Sequence, residues 1–268
     1  MEDYTPEISD LPAKKKIPFA KKVLYSVMLA VAAGLIVVAG IILASRLLSG
    51  RETFDHYKND ATSTSSSALP ANPINFEEAK NDNENVCAWI QIPGIDTIDY
   101  PILRSSADMD DNYYLNHDIH KNQAFAGAIY IQKLNHKDFS DSNTLIYGHD
   151  MLNGTMFGKL RKFRDKEFFD NNREIYIYTP GHILKYEIIS AFVYDDRHIM
   201  KAFDFSDPVD RQTFFDTCTN PKSMIKNVVE GAKLESDDKI ITLSTCTGND
   251  AERYLVVGKL VSDTPTVN

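Results

Sequence analysis

The longest apolar run of the chain lies near its N-terminus. From Val23 to Ala44 no charged residue occurs, and Val, Ala, Leu and Ile dominate. Such a run is long enough to cross a bilayer, which needs about 20 residues, and longer than the roughly 7–15 apolar residues of a signal peptide. We therefore predict a transmembrane signal anchor over residues 23–45. Cleavage by a signal peptidase near Ala44 stays open as an alternative.

Basic residues flank this run unevenly. The clusters Lys14-Lys15-Lys16 and Lys21-Lys22 precede it, and fewer basic residues follow it. Because lysine-rich flanks stay on the cytoplasmic side, we predict a cytoplasmic N-terminus over residues 1–22 and an extracellular chain beyond the membrane.

Residues 46–75 show neither a helical nor a strand pattern. They contain the low-complexity stretch Thr62–Ser67 and the prolines Pro70 and Pro73. This composition is typical of a linker, so we predict a flexible extracellular tether. A folded domain over residues 76–262 and a tail over residues 263–268 follow it.

Beyond residue 76, short runs rich in β-branched and aromatic residues alternate with turn residues. These runs predict eight strands, at about residues 88–94, 97–103, 128–131, 144–147, 175–178, 184–193, 240–243 and 254–257. Eight strands suit a closed barrel or a sandwich, so the fold class is mainly β behind one N-terminal transmembrane helix.

Helical patterns occur in four places in the same region. The predicted helices are Phe76–Lys80, Gly154–Phe169, Asp207–Thr217 and Pro221–Val229. In the second, Met156, Leu160 and Phe163 share one face. In the third, Asp207 is the expected N-cap and Pro208 lies in the first turn.

Composition restricts the function classes. With 268 residues, 43% hydrophobic and 25% charged, the chain has room for one sizeable globular domain plus appendages. Its net charge of -9 argues against nucleic-acid binding. Its three cysteines leave at least one thiol free, and pairing of Cys87 with Cys218 stays open, although both suit buried packing.

The two C-terminal strands place a thiol beside a guanidinium. In an antiparallel hairpin, Cys246 at the end of the first strand and Arg253 at the start of the second lie at one edge of the sheet. A thiolate is a nucleophile, and an arginine can bind a carbonyl oxygen or the oxyanion formed by attack on it. The alternative is a small buried cysteine next to a solvated arginine.

A nucleophilic thiol also needs an acid/base group, and His149 fits best among seven histidines. It follows the predicted strand at residues 144–147 and therefore projects from a sheet edge, as Cys246 does. The other six lie in the tether, loops, turns or a charged connection: His56, His117, His120, His136, His182 and His198. No cysteine or carboxylate cluster supports a metal site at His117 and His120, so we expect neither metal nor cofactor.

Several motifs resemble one enzyme family. The run Thr242–Cys246, followed by Arg253, resembles the catalytic signature of the sortases, and the Ser-Thr before the cysteine resembles their class B. Tyr147-Gly148-His149 resembles the class B histidine segment. Further matching segments are Thr155–Phe157, Trp89-Ile90, Tyr100-Pro101, Asn112–Leu115 and the insert at about Tyr194–Asp238. The likeness spans about residues 76–260.

The resemblance implies a closed eight-stranded sortase barrel with peripheral helices, a Gram-positive membrane and no cofactor. It implies that Cys246 is the nucleophile, His149 the acid and base, and Arg253 the group that binds the substrate carbonyl. It also implies that three residues line the peptide groove: Leu115, Tyr147 and Ser244. Thr247 departs from relatives that carry an acid after the cysteine, and the loop to Glu252 is short, which affects groove details.

The resemblance also implies the partners. In sortases the thiolate attacks a Thr carbonyl in the C-terminal sorting signal of a secreted protein, and an amine of a lipid-linked peptidoglycan precursor resolves the thioacyl enzyme. The expected partners are therefore such proteins, that precursor and the membrane, with no nucleic acid. The sorting motif, the choice between cross-bridge and pilin acceptor, the number of substrates, the oligomeric state and the resting protonation of Cys246 and His149 stay open.

Other classes remain alternatives. An extracytoplasmic cysteine peptidase would only hydrolyse its peptide, even with an amine present. An L,D-transpeptidase would place His and Arg within two residues of the cysteine, where Thr245 and Thr247 stand. A non-catalytic membrane-anchored β-barrel binding module would keep its function after Cys246→Ala.

Overall fold

The computed structural model describes residues 18–48, 50, 52–59 and 69–267. The chain divides into two compact units, residues 1–45 and residues 46–268. Most of the predicted cytoplasmic N-terminus, residues 1–17, lies outside the described part of the chain.

One long helix, α1 (Phe19–Leu48), forms the described part of the N-terminal unit and continues past its boundary at residue 45. Its stretch Phe19–Ser45 has a mean hydropathy of 2.9 in its most apolar window, and none of that window is buried. A helix that is apolar all round and unburied has the composition of a membrane span or of a signal sequence. The predicted apolar helix is thus present.

Nine strands occur among the described residues of the second unit. They are β1 (Val86–Gln91), β2 (Asp99–Arg104), β3 (Ile129–Ile131), β4 (Asn143–Tyr147), β5 (Glu174–Thr179), β6 (His182–Asp195), β7 (Lys226–Val228), β8 (Ile240–Cys246) and β9 (Glu252–Pro265). Eight of them pair in the order β5-β1-β2-β3-β4-β8-β9-β6, and pairing of β6 with β5 closes the barrel. All eight predicted strands are confirmed, and β7 is an unpredicted ninth strand beside β6.

Most neighbouring strands are antiparallel, but β2–β3 and β4–β8 are parallel. Side chains alternate across each strand, so β8 contributes to two apolar clusters. Ile241 and Leu243 pack in the main core, whereas Ile240 packs in a second cluster with Phe214 and Phe215. This second cluster joins the barrel to the insert between β6 and β8.

Within the part of the chain that the structure describes, four shorter α-helices follow α1: α2 (Phe76–Asp82), α3 (Lys166–Asn171), α4 (Ile199–Ala202) and α5 (Pro208–Thr219). The helices predicted from Phe76 and from Asp207 are confirmed as α2 and α5. The Asp207 side chain accepts hydrogen bonds from the backbone N–H groups of Val209 and Asp210, as expected of an N-cap.

Two helix predictions are wrong. Over Gly154–Phe169 the chain forms a 3-10 helix at Leu160–Arg164 and then α3, because the Asp165 side chain caps a new start by accepting from the Phe168 N–H. Over Pro221–Val229 the chain is extended, because β7 pairs with residues 190–192 of β6 and its backbone groups bond across the sheet.

The predicted tether is too long. Residues 52–59 and 69–75 pack on the barrel: Phe54 and Tyr57 are buried and make edge contacts with Trp89. Lys58 forms an antiparallel β-bridge with Ile74, so residues near 74 run back alongside residues near 58. For the low-complexity stretch at residues 62–67, which lies outside the described residues, a flexible tether stays a prediction.

We predict that Phe54→Ala destabilises the folded unit by about 3 kcal/mol, because it removes a buried ring from the core. Urea unfolding followed by the fluorescence of the single tryptophan, Trp89, measures this change. Val209→Ala, at a residue that is 78% exposed, is the control and should cost less than about 0.5 kcal/mol. Equal unfolding midpoints for the two variants would contradict the packing of this segment.

Candidate active site

The parallel pairing of β4 with β8 brings two strand ends to one edge of the barrel. Tyr147 lies opposite Ser244, and the Gly148 N–H donates to the Ser244 carbonyl at 3.2 Å. His149 and Cys246 each follow this pair by two residues. They therefore emerge from neighbouring strands at the same edge.

Pairing of β8 with β9 adds the third group. Cys246 lies directly opposite Arg253, which in turn lies opposite Tyr194 of β6. The three predicted catalytic residues and the three predicted groove residues all line one open cavity of about 370 Å³. These six residues are Cys246, His149, Arg253, Leu115, Tyr147 and Ser244.

Cys246 differs from the other two cysteines in exposure. All three thiols are free, so Cys87 and Cys218 form no disulfide. Both are buried, and burial raises the pKa of Cys87 to about 12 and also raises the pKa of Cys218. Cys246 is the exposed thiol among them, at the cavity edge.

The His149 ring is held on two sides. Its Nε2 lies 2.8 Å from the carbonyl oxygen of Leu115, and its ring stacks near Phe125 with centroids 6.1 Å apart. Gly148 lets the backbone approach the core closely, since a Cβ on it would lie 2.5 Å from Ile129 and 2.7 Å from Phe157. The imidazole is thus fixed at the cavity wall.

The Arg253 guanidinium is held by the turn between β8 and β9. Its Nη1 donates to the carbonyls of Asp250 at 2.9 Å and Glu252 at 2.7 Å. A guanidinium has five N–H donors, so others remain for a ligand in the cavity. The turn therefore orients a permanent positive charge beside Cys246.

A polar network that was not predicted forms another wall of the cavity. The Tyr147 hydroxyl donates to Gln132 at 3.2 Å, and the Gln132 amide donates to Asn112 at 2.7 Å. Burial raises the pKa of Tyr147, which keeps its phenol neutral, and its ring stacks on Tyr130 at 5.3 Å. The register of β3 against β4, with Tyr130 opposite Tyr147, is the signal that would locate these residues.

The segment Asp195–Ile199 closes the cavity from the insert side. It includes His198, which the sequence analysis assigned to a charged connection. Burial, and then the charge of Lys201, lowers the pKa of His198 and keeps it neutral. His198 reaches the cavity because of the path that the chain takes after β6, which local sequence pattern does not reveal.

Four of the remaining histidines have partners elsewhere. His120, His136 and His182 pair with Glu52, Asp141 and Asp263, and His117 bonds to the Tyr113 carbonyl. The His56 ring contacts Tyr57 in a tilted arrangement, with centroids 3.9 Å apart. None of these five lines the Cys246 cavity.

Comparison with known proteins agrees with this arrangement. The sequence matches the family of the Sortase domain over residues 90–261. The chain belongs to the sortase family and is a sortase-type cysteine transpeptidase.

Its relatives are of class B. It is 36% identical to Sortase B of Listeria monocytogenes over 190 residues, which cover 67% of this chain and 71% of that protein. It is 28% identical to Sortase B of Staphylococcus aureus over 189 residues, which cover 69% and 74%.

Solved structures give the same result. The crystal structure of Clostridium perfringens sortase B superposes with a TM-score of 0.62 at 29% identity, covering 70% of this chain and all of that one. A Staphylococcus aureus sortase B–substrate complex gives a TM-score of 0.61 at 25% identity, covering 72% and 87%. The predicted family, class and closed barrel are confirmed.

We predict that a thiol reagent modifies Cys246 in the native chain far faster than the other two cysteines. The reason is that Cys87 and Cys218 are buried and have raised pKa values. Peptide mapping of chain labelled for increasing times measures the three rates, and labelling in denaturant is the control. Equal native rates would contradict the burial of the two core thiols.

Proposed function

We propose that this sortase cleaves a C-terminal sorting motif of secreted proteins after Thr and transfers the protein to an amine of a lipid-linked peptidoglycan precursor. The observation that carries the proposal is the convergence of Cys246, His149 and Arg253 on one cavity edge. Nucleophile, acid/base and oxyanion donor are the three groups that acyl transfer through a thioester requires.

In the first half-reaction the Cys246 thiolate attacks the carbonyl carbon of the motif's Thr. Charge develops on the carbonyl oxygen, where the Arg253 guanidinium donates hydrogen bonds. His149 gives a proton to the leaving nitrogen, and the amide C–N bond breaks. The product is a thioester on Cys246 and a released C-terminal fragment.

In the second half-reaction an amine attacks the thioester. His149 accepts a proton from that amine, and Arg253 again stabilises the oxyanion. The C–S bond breaks, an amide forms, and the thiolate returns. The enzyme therefore conserves the acyl group instead of losing it to water.

The groove residues fit a peptide that lies across β4 and β8. Leu115 is 43% exposed and offers an apolar contact, while Tyr147 and Ser244, each two residues before His149 and Cys246, form the floor. A side chain of the motif packed on this floor would set the position of the scissile bond relative to the thiol.

The proposal includes a membrane anchor. The apolar helix α1, preceded by lysine clusters, would hold the chain in the bilayer with its N-terminus in the cytoplasm and the barrel outside. That location matches secreted substrates and a lipid-linked acceptor.

The test combines a library of sorting-motif peptides with an amine acceptor and compares wild type with Cys246→Ala. We expect cleavage after Thr and an amide product that depend on Cys246, read by mass spectrometry. If the peptide is only hydrolysed to the free carboxylic acid although amine is in excess, the enzyme is a peptidase. No Cys246-dependent turnover of any peptide would indicate a binding module.

We predict that Arg253→Lys lowers kcat/KM for transfer by about 10²-fold or more, because a lysine is a point charge without the planar fork of donors. Rates of amide formation at several peptide concentrations measure the change. Arg173→Lys is the matched control, since Arg173 pairs with a carboxylate, that of Glu187, and does not line the cavity. Near-normal turnover by Arg253→Lys would remove Arg253 from the mechanism.

We predict that a membrane-impermeant maleimide labels the full chain in intact spheroplasts but not in sealed inside-out vesicles. The prediction follows because Cys246 is the exposed thiol and the barrel is proposed to lie outside. Cys246→Ala in spheroplasts gives the background. Labelling only in the inside-out vesicles would reverse the proposed topology.

A further inference from the structure

The Leu115 carbonyl determines where the proton of His149 resides. This oxygen lies 2.8 Å from Nε2, and a carbonyl oxygen only accepts hydrogen bonds. Nε2 must therefore carry a proton while the contact lasts, both in neutral imidazole and in imidazolium. The nitrogen that can gain and lose a proton is Nδ1.

Gly127 in turn determines where the Leu115 carbonyl lies. Its backbone has φ +56°, and a Cβ built on it would fall 2.4 Å from the Leu115 oxygen and 2.5 Å from the Tyr114 oxygen. The next residue, Ala128, donates its N–H to the Tyr114 carbonyl at 2.9 Å. Two successive carbonyls thus lie against the Cα of Gly127, and a larger residue would displace them.

The loop that carries Gly127 also contacts the other side of the imidazole. Phe125 stacks near the His149 ring, with planes 13° apart. The Gly127 N–H donates to the Ala124 carbonyl at 3.1 Å and closes the turn around Phe125. One turn therefore limits both the tilt of the ring and its hydrogen-bonding partner.

We infer that Gly127 is a positioning residue: through the Leu115 carbonyl it fixes the proton on Nε2 of His149 and reserves Nδ1 for acid/base catalysis. This inference rests on the proposed function of His149 and extends it to one ring nitrogen and to a residue outside the cavity.

The proton balance of both half-reactions runs through Nδ1. When the Cys246 Sγ–H proton moves to Nδ1, the thiolate forms the C–S bond, and Nδ1 then gives that proton to the nitrogen of the breaking C–N bond. In the second half-reaction Nδ1 takes one proton from the attacking amine and keeps it as the C–S bond breaks, which restores the thiolate and the protonated His149. The other proton stays on Nε2 throughout and is donated to the Leu115 carbonyl.

The test compares Gly127→Ala with Gly181→Ala in the full chain in detergent. Gly181 also has a positive φ, +87°, but no atom lies within 4 Å of the position of its Cβ. The control therefore imposes similar backbone strain without touching Leu115. Thermal unfolding of both variants shows whether each is folded.

Two readouts separate positioning from a merely structural role. For thioester formation on Cys246, Gly127→Ala should lower kcat by about 10²-fold, as expected for a displaced catalytic group, with KM for the peptide unchanged. Long-range ¹H–¹⁵N spectra, assigned with His149→Asn, should show neutral His149 protonated at Nε2 in wild type and a mixture of tautomers in Gly127→Ala. Gly181→Ala should match wild type in both readouts.

Several results would overturn the inference. They are a folded Gly127→Ala with wild-type kcat, a loss of activity confined to KM, or a wild-type His149 protonated at Nδ1. The last result is measured on wild type alone, so it would overturn the inference even if Gly127→Ala does not fold. Absence of any thioester in wild type would instead count against the proposed function, while the spectra would still test the link from Gly127 to His149.

Discussion

The parallel pairing of β4 with β8 is the constraint on which the site depends. It places Tyr147 opposite Ser244 and therefore brings His149 and Cys246, each two residues further, to one edge. A slip of one residue in this pairing would turn every side chain of one strand to the other face. The catalytic geometry is thus a consequence of strand register, and the apolar alternation of β8 holds that register.

The two apolar clusters secure this register from both sides of the sheet. Leu243 is buried in the main core, and Leu145 and Ile240 are buried in the second cluster under the insert. Because the insert also supplies Asp195–Ile199 to the cavity, the packing that supports β8 shapes the groove as well. Sliding the insert would disturb both the wall and the floor of the site.

Much of the barrel followed from local pattern, because each strand is a short run of β-branched and aromatic residues between turns. Cys246, Arg253 and His149 could also be predicted, since their positions at strand ends follow from the predicted strands alone. The extended conformation of residues 221–229 could not be predicted in this way, because pairing with β6 overrides the local helical preference of the segment. Tertiary contacts likewise bury Phe54 and Tyr57, which lie in a segment whose composition resembles a linker.

The unpredicted part of the site has the same origin. Gln132 and His198 reach the cavity through chain connections, and a sequence pattern does not encode which loops meet at a barrel edge. The family resemblance identified the groove residues Leu115, Tyr147 and Ser244, and the structure places them around the same cavity, where their role stays a prediction.

The most direct test of the account is a crystal structure of the chain with a sorting-motif peptide analogue bonded covalently to Cys246. We predict a peptide that lies over Tyr147 and Ser244, with its Thr carbonyl oxygen bound by Arg253 and with His149 Nδ1 facing the position of the departing nitrogen. A peptide carbonyl turned away from a guanidinium still held only by Asp250 and Glu252, or a peptide outside this groove, would contradict it.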